Sequence, residues 1–284
     1  MTAAEETMSG LGSASELRQV LAEWNKTTVP FRQEVCIHEL FQQQAAANPL
    51  AECLVFCGAT MTYALLDQKT NQLARHLQTL GVQRDVPVAV MMERSFDIII
   101  AVMAVLKAGG AYLPMDPAYP QQRLAYMVQD AKAPVLLTHQ HLHTKLPEGS
   151  LNLQVVDLDQ AQQVLASYPE TSLQLPCSST DAMYLIYTSG STGNPKGVML
   201  NHVGFVNLLD WSIREYGLSS QTNMLLKTAV SFDPSVFEIF APLALGGRLV
   251  IAKPGGHEDA RYVRDLINLE RHMTLQPLTC YTHH

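Results

Sequence analysis

The feature that most limits what this chain can become is a regular exchange between short apolar runs and longer segments of helical period. Thr62 can cap a helix in which Leu66, Leu73, Ala74, Leu77 and Leu80 recur at helical spacing, and Gly81 can end it in the left-handed region. Val86–Met92 then reads as a buried strand. Ser95 and Asp97 open a second helix through Leu106, stopped by Gly109 and Gly110, and Ala111–Leu113 is the next strand. The pattern continues with a helix from Pro120 to Ala131 and strands at Val135–Thr138, Leu153–Val156 and Met183–Thr188. Beyond these come a helix over Val203–Tyr216, strands near Leu225 and Leu249, and a helix over Pro234–Ala244. Strand and helix trading places in this way predict an α/β protein of parallel sheets with right-handed crossovers and helices on both faces. Residues 1–30 are polar and weakly periodic, a linker with one short helix around Leu17–Trp24, and no repeat of fixed period is visible.

Bulk properties narrow the function. Of 284 residues, 47% are hydrophobic and 16% charged, too apolar for a disordered tail. A net charge of −7 with no basic run speaks against a nucleic-acid partner, because phosphate backbones reward clustered Lys and Arg. The longest strongly apolar stretch, Ile98–Leu106, is far below the ~20 residues of a membrane span. The acidic start MTAAEETMSG has no apolar core of a signal peptide. A soluble, cytoplasmic protein is expected, with no membrane partner. Five scattered cysteines, Cys36, Cys53, Cys57, Cys177 and Cys280, fit reduced thiols better than a disulfide framework. Cys53 and Cys57 sit in a run that reads as a buried strand, and His139, His141 and His143 read as a solvated loop; no metal ligands are assigned.

The segment richest in chemistry is YTSGSTGNPKGVML, Tyr187–Leu200, directly after the apolar strand. Its hydroxyls (Thr188, Ser189, Ser191, Thr192), its glycines (Gly190, Gly193, Gly197) and Lys196 suit a loop whose backbone N–H groups close round phosphate oxygens. It is not a Walker loop, since Pro195, Lys196 and Gly197 stand where that pattern needs Gly-Lys-Ser/Thr. Farther on, Asp233 followed by Pro234 is an ordinary helix opening.

TSGSTGNPKG resembles the signature loop of the adenylate-forming superfamily. Leu106–Ala131 (LKAGGAYLPMDPAYPQQRLAYMVQDA), Met61–Leu77 and Leu226–Ala252 resemble stretches of the adenylation domains of nonribosomal peptide synthetases, and Leu21–Phe31 resembles their condensation–adenylation linker. The resemblance implies ATP-dependent activation of an amino acid, with Mg2+. The amino-acid carboxylate would attack the α-phosphorus, pyrophosphate would leave, and the thiol of a peptidyl carrier protein's phosphopantetheine would take the aminoacyl group. It implies that Thr188, Ser189, Gly190, Ser191, Thr192, Gly193 and Lys196 cover the triphosphate, with Thr188 and Lys196 serving catalysis. Asp233 would pair with the substrate ammonium, Pro234 and Phe237 would line its pocket, and other synthetase domains would be partners. Residues 31–284 would be a partial domain, with 72–200 forming one lobe and 31–71 with 201–284 a second, incomplete one. The family's Tyr-Gly-Pro-Thr-Glu segment and its small C-terminal domain with a catalytic lysine have no counterpart here, so turnover by this polypeptide alone is expected to be weak or nil. RHMTLQPLTCYTHH at the end loses the family's apolar pattern, consistent with a shift of reading frame or a premature stop. An acyl- or aryl-CoA ligase and a nonenzymatic nucleotide-binding remnant are the alternatives.

Overall fold

A computed structural model describes residues 14–146, 153–173, 175–188, 195–269 and 273–274. Contacts divide the chain into two units, Met1–Phe31 and Arg32–His284. In the first, α1 (Ala14–Arg18) runs into a π-helical turn over Gln19–Glu23.

The second unit holds two sheets. One has six strands in the order β6-β5-β3-β4-β7-β8, where β3 is Pro87–Val90, β4 Ala111–Pro114, β5 Val135–Thr138, β6 Gln154–Asp157, β7 Ala182–Thr188 and β8 Lys196–Asn201. The other has five, in the order β11-β9-β10-β1-β2, with β1 Glu52–Phe56, β2 Ala59–Thr62, β9 Asn223–Leu226, β10 Arg248–Ile251 and β11 Met273–Thr274. All pairings are parallel except those of the edge strands β2 and β8, which arrive by hairpins. The helices are α2 (Ile37–Ala47), α3 (Tyr63–Thr79), α4 (Phe96–Lys107), α5 (Gln121–Ala131), α6 (Leu158–Ala166), α7 (His202–Tyr216), α8 (Pro234–Leu245) and α9 (Ala260–Leu269).

Because successive strand residues face opposite ways, each sheet meets two layers. Val88 and Val90 of β3, Leu54 of β1, and Leu249 and Ile251 of β10 point into a shared core with α2, α3, α4 and α8. Ala89, Leu136 and Leu185 face the other way, onto Leu124, Met127 and Val128 of α5. Val55, Leu225 and Val250 turn outward onto Tyr262, Val263, Leu266 and Ile267 of α9. The order of layers is therefore α5, six-stranded sheet, central helices, five-stranded sheet, α9.

Local signals explain most boundaries. The Thr62 side chain accepts the Leu65 N–H at the start of α3, and Gly81 follows that helix at φ 86°. Helix α4, the long apolar run, is buried on every side because it lies between the sheets. Among the described residues no helix is long and apolar enough to cross a membrane. At its end Lys107, 3% exposed, donates to Asp67 Oδ1 (2.6 Å), Thr70 Oγ1 (2.7 Å) and Asn71 Oδ1 (2.8 Å) on α3.

The structure corrects four readings. Lys196–Leu200 is not loop but the edge strand β8, whose exposed Val198, Met199 and Leu200 hide an alternation that a buried strand would show. His139, His141 and His143 fall on a 3-10 helix over Gln140–Lys145 and its cap, where His139 faces Asp97 (3.2 Å) and His143 faces Asp157 (3.0 Å). Cys36 and Cys177, expected as separate thiols, form a disulfide with Cα atoms 6.8 Å apart. A separation of 141 residues concealed that pairing, which only the docking of α2 beside the approach to β7 creates. Cys53 is a free, buried thiol of β1, but Cys57, read as part of the same buried strand, is free and exposed in the turn after it at φ 49°; Cys280 and most of RHMTLQPLTCYTHH lie outside the described residues.

One long-range ion pair ties the start of this unit to α7. Arg32 donates from its backbone N to Asp210 Oδ2 and from Nε to Oδ1, both at 2.9 Å. Burial pushes the Asp210 carboxyl up, but hydrogen bonds from Arg32 and the charges of Arg32 and Arg214 hold it below its ordinary value. A folded-state value below the unfolded ~3.9 means that this contribution is present above about pH 4 and is lost as pH falls through the lowered value. With Arg32 partly exposed, Asp210→Asn is expected to cost ~1 kcal/mol at pH 7. Urea melts at several pH values check it: the gap between wild type and variant closes in acid.

Candidate active site

Ligands of open α/β sheets collect at the carboxyl ends of the parallel strands. Here β7 ends at Thr188 beside β4, which runs parallel to it with Tyr112 level with Tyr184. The chain then returns as β8, where Lys196 is the register partner of Thr188, and the Thr188 hydroxyl reaches the Lys196 carbonyl at 3.5 Å. Thr188 and Lys196 are both exposed at the mouth of this hairpin. Ser189, Gly190, Ser191, Thr192 and Gly193 lie outside the described residues. The hairpin base is held firmly: the Tyr187 hydroxyl donates to Asp130 Oδ2 of α5 at 2.6 Å. Gly197 serves that anchoring, since a Cβ there would stand 3.1 Å from the Tyr187 ring and 3.0 Å from Leu185 Cδ1. The third glycine of the motif is thus a packing requirement of the hairpin.

Asp233 occupies the cap position of α8 with Pro234 as first helical residue, but its side chain makes no capping hydrogen bond. Its carboxylate is exposed, Pro234 is half-buried, and Phe237, one turn on, is 4% exposed against Phe205 of α7 (ring centroids 6.1 Å). The charge of Asp233 is felt on β7: the Tyr184 hydroxyl is pushed up to about 12, first by burial and then by Asp233. Tyr112 of β4 lies 5.8 Å from the Tyr184 ring of β7 and 6.0 Å from the Phe240 ring of α8, so the hairpin strand and α8 border one region.

The segment leading to Asp233 is fastened from several sides. Glu238 of α8, 2% exposed, accepts the N–H groups of Lys227 (3.1 Å) and Thr228 (3.0 Å) and the Thr228 hydroxyl (2.7 Å). Burial raises its carboxyl, an effect that those hydrogen bonds and the Lys227 charge offset only in part. Arg94, just after β3, donates to the Lys227 carbonyl at 2.6 Å. Tyr119, in the loop that leaves β4, donates its hydroxyl to Ser231 Oγ at 3.0 Å, and the Arg123 guanidinium lies 4.0 Å over its ring. Two elements of the six-stranded sheet thus grip the loop that presents Asp233. Sequence reasoning singled out none of Arg94, Tyr119, Tyr184 and Glu238. Tyr119 and Glu238 do lie inside the family-like stretches, and an acid one turn into an apolar helix is the signal that could have marked the latter.

The AMP-binding enzyme family model matches residues 41–277. The chain belongs to the AMP-binding enzyme family. Among its relatives, tyrocidine synthase 3 of Brevibacillus parabrevis is 40% identical over 262 residues, 92% of this chain and 4% of that one. Gramicidin S synthase 2 of Brevibacillus brevis is 40% identical over 260 residues, 91% of this chain and 6% of its own length. In structure, the nonribosomal peptide synthetase FmoA3 superposes with a TM-score of 0.82 at 31% identity, covering 89% of this chain and 26% of that one. The N-terminal subdomain of Klebsiella oxytoca NpsA gives 0.75 at 26% identity, covering 86% and 61%. The chain thus groups with the adenylation domains of nonribosomal peptide synthetases and has the fold of their N-terminal subdomain, while spanning a small part of the synthetases it matches.

Removing the Glu238 carboxylate leaves two backbone N–H groups and a hydroxyl without their acceptor. Glu238→Ala is expected to cost about 2–3 kcal/mol, and Glu238→Gln, which keeps one acceptor oxygen, about half of that. Chemical denaturation of the three proteins provides the comparison.

Proposed function

We propose that this chain forms the part of an amino-acid-activating adenylation domain that holds ATP by its phosphates and the amino acid by its ammonium group. The observation carrying this reading is the position of Asp233. It stands at a helix start yet caps nothing, and its charge bears on Tyr184 of the strand that feeds the Thr188–Lys196 hairpin. A carboxylate so placed returns a charge-assisted contact to an α-ammonium that a plain fatty or aryl acid lacks, which favours amino-acid activation over an acyl- or aryl-CoA ligase.

In the proposed mechanism no side-chain nucleophile is needed, because the substrate carboxylate attacks the α-phosphorus itself. The protein aligns the reactants and neutralises charge. Thr188, Ser189, Gly190, Ser191, Thr192 and Gly193 would offer hydroxyl and backbone donors to the triphosphate. Lys196, on the return strand, would steady the departing pyrophosphate. Asp233 would fix the ammonium, with Pro234 and the Phe237 ring behind it as the apolar side of the pocket. The nucleotide-analogue-bound form of FmoA3, which carries AMPPNP, supports ATP as the nucleotide, and its form bound to α-methyl-L-serine-AMP supports an aminoacyl adenylate as product. Mg2+ would accompany ATP as counter-charge. The phosphates would hold most of the ion, the hydroxyls of Thr188, Ser189, Ser191 and Thr192 are the oxygen donors this loop would add, and no step is routed through the ion. Kinship to the synthetases supports a phosphopantetheine-bearing carrier protein as acceptor and neighbouring synthetase domains as partners. Alone, this chain is proposed to bind nucleotide with little or no turnover.

Calorimetric titration tests the reading. ATP and a non-hydrolysable aminoacyl-adenylate analogue are expected to bind the full chain. Lys196→Ala should weaken ATP by about tenfold or more, the worth of one charge-assisted hydrogen bond. Asp233→Asn should weaken the aminoacyl analogue by a similar factor while leaving AMP unchanged. A folded chain that ignores ATP, or an Asp233→Asn variant that weakens AMP and the aminoacyl analogue alike, would refute it.

A further inference from the structure

We propose that Cys36, Cys177 and His202, once the two sulfurs are reduced, form a binding site for a thiophilic divalent cation of the Zn2+ type. The residues come from three separate places: the N-terminal cap of α2, the segment before β7, and the first turn of α7. One donor atom from each lies within 4.8 Å of the other two. Sulfur and imidazole donors around a tetrahedral zinc stand roughly 3.3–3.8 Å apart, so small side-chain movements complete the arrangement.

Four observations favour an ion over a bridge alone. First, a disulfide uses two sulfurs and has no need of imidazoles, yet two buried ones accompany it. The His38 ring lies edge-on to the His202 ring, with centroids 5.5 Å apart, and its Nδ1 is buried without a hydrogen-bond partner. His38 is not one of the three converging donors, so its bare nitrogen would serve the ion only through a water in the fourth position. Second, the Cα atoms of the cysteines are 6.8 Å apart, the far end of the range for a disulfide and ordinary for two residues sharing a metal. Third, Cys36 and His202 are 0% and 2% exposed, which shields a bound ion from competing chelators. Fourth, Cys177 and His38 line a cavity of about 180 Å³ with Arg84 and Asp181, an entry path for the ion. The His202 ring is steadied beside Cys36 by the 3.3 Å hydrogen bond that its Nδ1 accepts from Ile37 N–H.

The bridge and the ion are exclusive uses of the same sulfurs. Two molecules of glutathione reduce the bridge to two thiols and leave as glutathione disulfide; the cation then displaces one proton from each thiol and accepts a sulfur lone pair from both. The site would fasten α2, the approach to β7 and α7 to one another, in either state.

The test uses the full wild-type chain in two forms, bridged and reduced by a phosphine under nitrogen, titrated with Co2+ as a spectroscopic substitute and then with Zn2+. The reduced chain is expected to bind one cobalt with thiolate-to-metal charge transfer and the intense visible bands of tetrahedral ligation, bleached by Zn2+. The bridged chain should show neither. Cys177→Ser and His202→Ala should weaken binding by about tenfold or more, while Cys57→Ser, an exposed free thiol, leaves it intact. The two wild-type forms are one polypeptide, so their comparison stands even if a variant fails to fold. No thiolate–cobalt spectrum in the reduced chain would show the pair to be a disulfide only and overturn the proposal. The same spectrum in the bridged chain, or its survival in a folded Cys177→Ser variant, would overturn it as well.

Discussion

The geometry of the site depends on a seam of aromatic rings between the two sheets. Tyr112 of β4 lies 5.8 Å from Tyr184 of β7 and 6.0 Å from Phe240 of α8, and Phe205 of α7 meets both Phe240 (6.0 Å) and Phe237 (6.1 Å). Rings packed in tilted and edge-on contact interdigitate, which opposes sliding between α8 and the six-stranded sheet. The start of α8, and with it Asp233, is thereby tied to the strand that leads into the Thr188–Lys196 hairpin. Were that seam to loosen, the two candidate ligand contacts would lose their mutual distance although each local motif stayed intact.

Around the seam, polar groups make the same connection with direction. Glu238 gathers the backbone of residues 227 and 228, Arg94 reaches across to Lys227, and Tyr119 reaches Ser231. The bonds of Arg94 and Tyr119 cross between segments that belong to different sheets. A reaction that brings a carboxylate and a phosphate together needs such preorganisation more than it needs a reactive side chain.

Much of the fold was legible because its helices and strands differ in period. The Thr62 cap, the run Ile98–Leu106, the Pro234 helix opening and the apolar Met183–Ile186 strand all lie where their residues predict. Helices α2, α6 and α9 escaped notice. Helix α9 carries a clear apolar stripe, Tyr262, Val263, Leu266 and Ile267 at helical spacing and half-buried on the outer face of the five-stranded sheet, so its period was there to be read. Strand β8 escaped because an edge strand exposed along its length has no buried face to enforce alternation. For the site, Thr188, Lys196, Asp233 and Pro234 were readable as chemistry in local motifs, whereas Arg94, Tyr184 and Glu238 matter through what they touch.

By itself, then, the sequence determined the α/β class, the kinship carried by TSGSTGNPKG and the type of ligand groups those residues suit, since each of these follows from neighbours a few positions apart. Tertiary structure alone decided that Asp233 caps nothing, that Phe237 belongs to the inter-sheet seam, and that Cys36, Cys177 and His202 meet. The reason is one of range. Period and capping are set by contacts within a turn or two, but which carboxylate stays free and which sulfurs converge depends on how layers more than a hundred residues apart come to rest on one another.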